Sequence, residues 1–404
     1  MLSHAPFFDK LAVIADEADP EWKATAAGLV VLRLVDDWLD FGPHVVSTDI
    51  TGLAAVRDAI ERVDEGNPTR RLLHQIVASM EQAEVASAQA VVPALLAYAQ
   101  ALQYSSDAPL ERDVLLTLRK YAESVNDPQT IVHSSLRLGV VNRALGDYTE
   151  AEFYHKEAER SAAEIGETAS VFLARLGLAK TAAARGNLPF ADALCSSVID
   201  EARHKGLSRI LAIGLNDRAH ISILRKDYQN AVRSAYAALE FAISEGDRDR
   251  VMADLAAAFL RLGHISAARD TNLILASSAQ EQSVRWQATV NLMYAAAQEH
   301  QEAAFDLYKA TLEMTVLPPY VEVYYYRISA VGLRIFGHLD EAESALRQAH
   351  AVAEKHHMQQ FVFELEEELK ELEKQTTTMW EKDIDVIADT IGEQLQFRSY
   401  ARAR

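Results

Sequence analysis

The sequence predicts an all-α protein, an array of antiparallel helix pairs stacked as a solenoid. Three observations carry that expectation. Only 16 glycines and 10 prolines are spread over 404 residues, of which 49% are apolar and 25% charged, so the chain is ordered and has few places to turn. A turn signature recurs at Gly146-Asp147-Tyr148, Gly186-Asn187-Leu188, Lys226-Asp227-Tyr228, Gly263-His264-Ile265 and Gly337-His338-Leu339; the spacings are 40, 40, 37 and 74, the last being twice 37. Three further positions then agree in every copy. Two residues after the first turn residue sits a large apolar group (Tyr148, Leu188, Tyr228, Ile265, Leu339), and five after it always an alanine (Ala151, Ala191, Ala231, Ala268, Ala342). Seven before it comes Gly or Ala (Gly139, Ala179, Ala219, Ala256, Ala330). Small residues at matched points on successive helices let the axes approach, and the large group plugs the wedge between them.

The elements follow in chain order. Residues 1–130 lack the turn signature but keep helical periodicity. Asp49 can cap a helix whose apolar face is Leu53, Val56, Ile60 and Val63, and Asn67-Pro68 opens another with Leu72, Leu73, Ile76, Val77 and Met80. Ala94–Tyr104 and Leu110–Ser124 make a further pair. This stretch is expected to form divergent cap repeats. Residues 131–357 carry the repeats proper, with a degenerate copy expected around His300. There Ala303 or Ala304 could take the alanine position, and Trp286–Ala297 and Glu302–Met314 read as its two helices, closed by Pro318-Pro319. Residues 358–404 begin with an acidic helix, Phe361–Lys374, and Thr376-Thr377-Thr378 then breaks the pattern. A last helix carries one apolar stripe of Trp380, Ile384, Ile387, Ile391 and Leu395. That stripe either caps the last repeat or joins a second subunit as a homodimer contact.

These motifs resemble the tetratricopeptide repeat family. Its pattern has a small residue inside the first helix, Gly-Asp/Asn-aromatic at the turn and alanine early in the second helix; the best copy runs from Leu138-Gly139 through Gly146-Asp147-Tyr148 to Ala151 and Ala158. Periods of 37 to 40 resemble the longer-repeat bacterial branch, found in peptide-sensing regulators and MalT-like activators. The resemblance covers about 131–357. It implies a right-handed superhelix with the first helices on its concave side. Counting back from the turns then puts Arg137, Arg143, Lys180, Asn216, Asp217, His220, Asp254, Arg327 and Arg334 in the groove. Asn can pair with both sides of a peptide backbone, and Arg or Lys can fix a carboxylate. The same residues could equally make salt bridges between neighbouring first helices.

Composition narrows the function. With 40 basic against 59 acidic residues the formal charge is −19, which repels phosphate backbones, so nucleic acid is not an expected direct partner. The first residues show no basic stretch leading into a long apolar run. The runs Ala26–Val35 and Ala90–Leu102 are interrupted by Arg33 and Pro93, short of the ~18–20 residues needed to span a bilayer. A cytoplasmic protein without membrane insertion is expected. The single cysteine, Cys195, excludes an internal disulfide and lies on an apolar stretch as a small core residue.

Catalytic motifs are sparse. Asp36-Asp37-Trp38-Leu39-Asp40 matches the aspartate-rich pattern that holds magnesium and diphosphate in isoprenoid synthases, but no second cluster accompanies it. His350, Glu354 and His357 could share a helix face without a fourth ligand. Phosphate-loop, zinc-protease, nucleophile-elbow and dinucleotide fingerprints do not occur. The leading expectation is a non-catalytic scaffold or adaptor that binds a protein or peptide in the concave groove, with no cofactor or metal. A peptide-responsive regulator is the alternative. An enzyme using Asp36, Asp37 and Asp40 comes third.

Overall fold

The structure is a computed structural model and describes residues 3–41, 50–81, 88–241, 244–315, 317–355, 358 and 361–374. Among these residues there are helices and turns and no strand. The chain forms two compact units, Met1–Gly263 with Ser278–Arg285, and His264–Ser277 with Trp286–Arg404.

The N-terminal elements are α1 (Ala5–Ile14), α2 (Pro20–Phe41), α3 (Ile50–Glu61) and α4 (Pro68–Glu81). Then come α5 (Ala88–Tyr104), α6 (Ala108–Ser124), α7 (Pro128–Ala144), α8 (Tyr148–Glu164), α9 (Thr168–Ala184), α10 (Leu188–His204) and α11 (Ser208–Leu224), each of 17 residues. α12 (Tyr228–Leu239) and α13 (Glu245–Leu262) follow. The sequence places α5 and α6 correctly but starts them late, and Pro93 sits inside α5. Val56, Ile60, Val63, Leu73, Ile76, Val77 and Met80 are buried as the periodicity requires, whereas Asp49 lies outside the described residues.

A 20-residue cadence organises the first unit. Positive φ recurs at Ser106, Asn126, Gly146, Gly166, Gly186, Gly206 and Lys226. At each, the N–H of the following residue reaches back five positions, from Asp107 to Leu102, Asp147 to Asn142 and Asp227 to Ser222, at 2.8–2.9 Å. This satisfies a carbonyl that the helix end would otherwise leave unpaired. The same residue often starts the next helix. The side chains of Asp107, Asp127, Asn187 and Asp227 accept from the N–H three residues on. In these four turns one residue closes the preceding helix with its backbone N–H and caps the next with its side-chain oxygen, whereas Asp147 makes no side-chain cap. Ser106 and Asn126 adopt the same turn without glycine, so the cadence reaches further into the N-terminal region than the glycine signature shows.

Packing obeys the small-residue rule. Ala151, Ala191 and Ala231 are fully buried where second helices cross first ones, as are Ala179 and Ala219. One crossing departs from it. His155 of α8 occupies the gap between Gly139 of α7 and Gly177 of α9, and a Cβ on either glycine would lie 2.4 or 2.3 Å from the imidazole Cε1. Among the first helices α7 packs on α9, α9 on α11 and α11 on α13, and the second helices between them approach one another less closely. This part of the array therefore curves with the first helices inside.

The second unit contains α14 (Ile265–Ser278), α15 (Gln282–Gln298), α16 (Glu302–Glu313), α17 (Pro319–Phe336), α18 (Leu339–Lys355) and α19 (361–374), the outermost residues of α14 and α15 belonging to the first. The degenerate repeat has its turn at His300, with φ 56° and Gln301 N–H bonded to Ala296 O at 2.8 Å. Neither Ala303 nor Ala304 takes the crossing position. Phe305 does, fully buried, because Gly332 of α17 leaves room: a Cβ there would stand 2.2 Å from the phenyl ring. Pro318-Pro319 opens α17 with Pro319 at its first position and does not merely close α16. α19 buries Leu365 and Leu372 against the alanine face of α18. Trp380, Ile384, Ile387, Ile391 and Leu395 lie outside the described residues.

Candidate functional site

The inner layer of the first unit gathers groups from distant rungs. Lys180 lies six positions before its turn on α9, and its Nζ sits 3.0 Å from Asp217 Oδ1, nine positions before the turn of α11. The next rung repeats the pairing, with His220 Nδ1 3.3 Å from Asp254 Oδ1 on α13. The offset of six against nine is what side-by-side first helices produce when each turn steps along the array. Arg137 pairs with the buried Glu111 of α6, whose carboxyl is raised by burial against the opposing pull of Arg137. In the second unit Arg327 holds Glu364 Oε2 at 2.8 Å and also Glu368, both on α19, and Arg334 is exposed on the last turn of α17.

Six of the nine groove positions read from the sequence thus make contacts within the chain: Arg137, Lys180, Asp217, His220, Asp254 and Arg327. Asn216 and Arg143 differ. The Oδ1 of Asn216 is buried and accepts no hydrogen bond, and the Nε of Arg143 is buried and donates none. An unpaired buried polar atom costs about 1–3 kcal/mol, so these two positions favour a partner that the chain itself does not supply. Burial lowers the Arg143 guanidinium, with Asp217 and Tyr148 acting the other way.

Four contributors escaped the sequence reading. His155 lies beneath the inner layer, both ring nitrogens buried and unpartnered, and its pKa is pushed down to about 3 by burial and by the nearby charges of Arg143 and Lys180. Arg250 and Glu281 form an ion pair, and Glu281 Oε1 also accepts from Gln103 Nε2 at 3.0 Å. Gln103 lies in the last turn of α5 and Glu281 just precedes α15, so the contact ties two parts of the first unit that lie 178 positions apart. A helix-face glycine pair could have signalled His155; nothing local signals a contact between residues 178 apart.

The aspartate triplet does not form one site. Asp36 accepts from Ser3 Oγ at 2.9 Å and lies 3.2 Å from His4 Nε2, while Lys120 Nζ stands 3.5 Å from Asp36 and 3.4 Å from Asp40; Asp37 is exposed. His4, whose other nitrogen lies 2.6 Å from Asp113, pins the chain start to α2 and α6. His350 lies 3.5 Å from Glu354 and 3.8 Å from Glu366, and His357 is outside the described residues. Among the described residues no group of His, Cys, Asp and Glu is arranged to hold a metal ion, and no helix is long and apolar enough to cross a membrane. Cys195 is fully buried, and burial raises its thiol far above the usual range.

Among solved structures, the Rap conjugation gene regulator of the plasmid pLS20 in complex with the Phr* peptide superposes with a TM-score of 0.58 at 10% identity, over 82% of this chain and 96% of that one. A Rap protein complexed with competence and sporulation factor gives 0.47 at 12% identity over 86% and 98%, and NprR in complex with its cognate peptide NprX gives 0.43 at 14% over 79% and 96%. No protein-family model matches the sequence, and no curated protein does. The first similarity and the helix-pair architecture together make the fold a tetratricopeptide-like solenoid.

Proposed function

We propose that this chain is a non-catalytic, cytoplasmic scaffold that binds a peptide or an extended protein segment along the inner layer of its first unit. The observation that carries the reading is Asn216, whose buried Oδ1 lacks a donor on the same layer as Lys180, Asp217, His220 and Asp254. A peptide backbone presents N–H donors at that spacing and has the reach to cross several rungs. The solenoid with TM-score 0.58 is itself described in complex with a peptide, which agrees with this reading.

Capture from native cell extract followed by mass spectrometry would identify the ligand, and calorimetric titration against Asn216→Ala would test the site. Binding is expected to weaken by about 1–3 kcal/mol with stability changed much less. Full affinity in Asn216→Ala and in a Lys180/His220 double alanine variant would move the site elsewhere.

A second reading, a peptide-responsive regulator, is favoured by one contact. Glu281 bridges Gln103 and Arg250, so a ligand that competes for either partner would change how tightly the first unit closes.

A further inference from the structure

Few groups hold α1 to the first unit. It is ten residues long, a length that is marginal for an isolated helix, and of its side chains only Phe7 is buried, with Phe8 and Leu11 half-buried. Both ends are strained: His4 and Ala15 flank the helix with φ 61° and 57°, in the left-handed region that is unfavourable for a residue with a Cβ. His4, Phe7 and Lys10 follow at intervals of three and share one face. Under that face lies a slot between α2 and α6. Phe7 enters where Gly28 of α2 leaves room, since a Cβ there would stand 3.0 Å from Phe7 Cε1 and 2.2 Å from the Tyr98 hydroxyl. Four carboxylates rim the slot: His4 lies 2.6 Å from Asp113 and 3.2 Å from Asp36, and Lys10 lies 2.7 Å from Glu21 and also pairs with Asp107.

We infer that α1 is an exchangeable strap, which leaves its own slot and docks in the same slot of a second copy of this chain, giving a reciprocal dimer. The slot fits a helix that presents an aromatic ring between two cations, and α1 of a second copy brings that face to the same four carboxylates, so the exchanged contacts match the internal ones. What differs is the connector. Residues 15–19 turn at Ala15 and are closed by the Asp16 N–H on Ile14 O at 2.7 Å and the Asp19 N–H on Asp16 O at 3.1 Å. Opening the connector releases Ala15 from its left-handed backbone, and short hinges under strain favour such an exchange. Tethering opposes it, because α1 beside its own slot has an effective concentration of the order of millimolar. The dilute chain therefore stays closed, and exchange sets in as the chain is concentrated or its connector is shortened.

Three measurements on the full chain test the strap. In the wild type, the amides of Ala5–Ile14 should exchange as a group, at least about tenfold faster than those of α6. Equal rates would mean that α1 opens only when the whole unit unfolds, and would overturn the inference. Deleting Ala15–Ala18 leaves Asp19 alone between α1 and α2, too short a connector for a hairpin. That variant should sediment as a dimer, and adding Phe7→Ala should return it to a monomer. A deletion variant that stays monomeric, or a dimer that survives Phe7→Ala, would overturn the exchange. Should the deletion prevent folding, a fluorescein-labelled peptide of residues 3–14 decides with the connector intact. It should bind the Phe7→Ala chain at least about tenfold more tightly than wild type, whose own strap competes, and weaken several-fold between about 50 and 500 mM salt. No binding, equal binding to wild type, or equal binding by a peptide carrying Phe7→Ala would overturn the slot. Peptide binding together with a monomeric deletion variant would assign the slot to a foreign helix of the same face and not to a second copy.

Discussion

Gln103 Nε2 donates a 3.0 Å hydrogen bond to Glu281 Oε1, although 178 positions separate the two residues. The same carboxylate pairs with Arg250 of α13, so one side chain joins the end of α5 to the far side of the first unit. A solenoid held only by contacts between adjacent helices would have no such tie.

Replacing Glu281 by Ala is expected to release α5 more than it lowers overall stability. The Arg250 side chain is 45% exposed and solvent screens its pair, so the global loss should be about 1 kcal/mol or less. Amide exchange across 88–104 should rise by more than that of α9. Equal exchange across 88–104 in the wild type and the Glu281→Ala variant would show that the tie does not hold α5 in place.

The imidazole wedge makes a sharper test of packing. Gly139→Ala should destabilise the first unit by about 1–3 kcal/mol, since the new methyl would overlap His155 and the ring has backbone on both sides. Adding His155→Ala should restore part of that loss, because the two changes share one contact. Urea unfolding of the single and double variants measures the coupling; strict additivity would place the strain elsewhere.

Two histidines give opposite pH dependences. His155 has its pKa lowered to about 3, so below about 6.5 the unfolded chain takes up a proton that the folded one refuses. Stability falls as pH drops through that window, and the wild type should lose stability faster between pH 6 and 4 than His155→Leu. His4 behaves in the reverse sense. Burial lowers its pKa, but hydrogen bonds to Asp113 and Asp36 outweigh that and raise it to about 9. Its contribution is complete below about 6.5 and disappears as pH rises through 9, a loss absent in His4→Gln. Denaturant titrations across the two ranges check both signs.

At the turns, Lys226 holds φ 61° where four neighbours along the cadence use glycine. Lys226→Gly should stabilise by about 0.5–1 kcal/mol and Gly186→Ala destabilise by a similar amount, because only glycine enters this backbone region without a steric cost. Thermal melts of both variants should move in opposite directions.

The fold was legible where the chain spells its turns with glycine and its crossings with alanine. It became illegible where a different residue solved the same problem. Ser106 and Asn126 take the left-handed turn without glycine, and Phe305 fills a crossing because its space comes from Gly332, 27 positions later. Lys180, Asp217, His220 and Asp254 could be placed on first helices by counting, but their pairing depends on how far one rung slides past the next. That shift is a property of packed helices, so the sequence left ligand contact and salt bridging as equal choices. Arg143 and Asn216 were among the same positions, and a buried polar atom without a hydrogen-bond partner separates them from the rest.

Seven consecutive helices of equal length joined by three-residue connectors give the first unit an alternating parity. Excising one 20-residue step would exchange the roles of all later helices, turning Asn216 and Asp217 from the inner row to the outer and parting them from Lys180. Excising or duplicating 40 residues would leave the parity intact and change only how many rungs the groove has, so that length, and with it the size of ligand, can vary by whole hairpins without redesign of any turn.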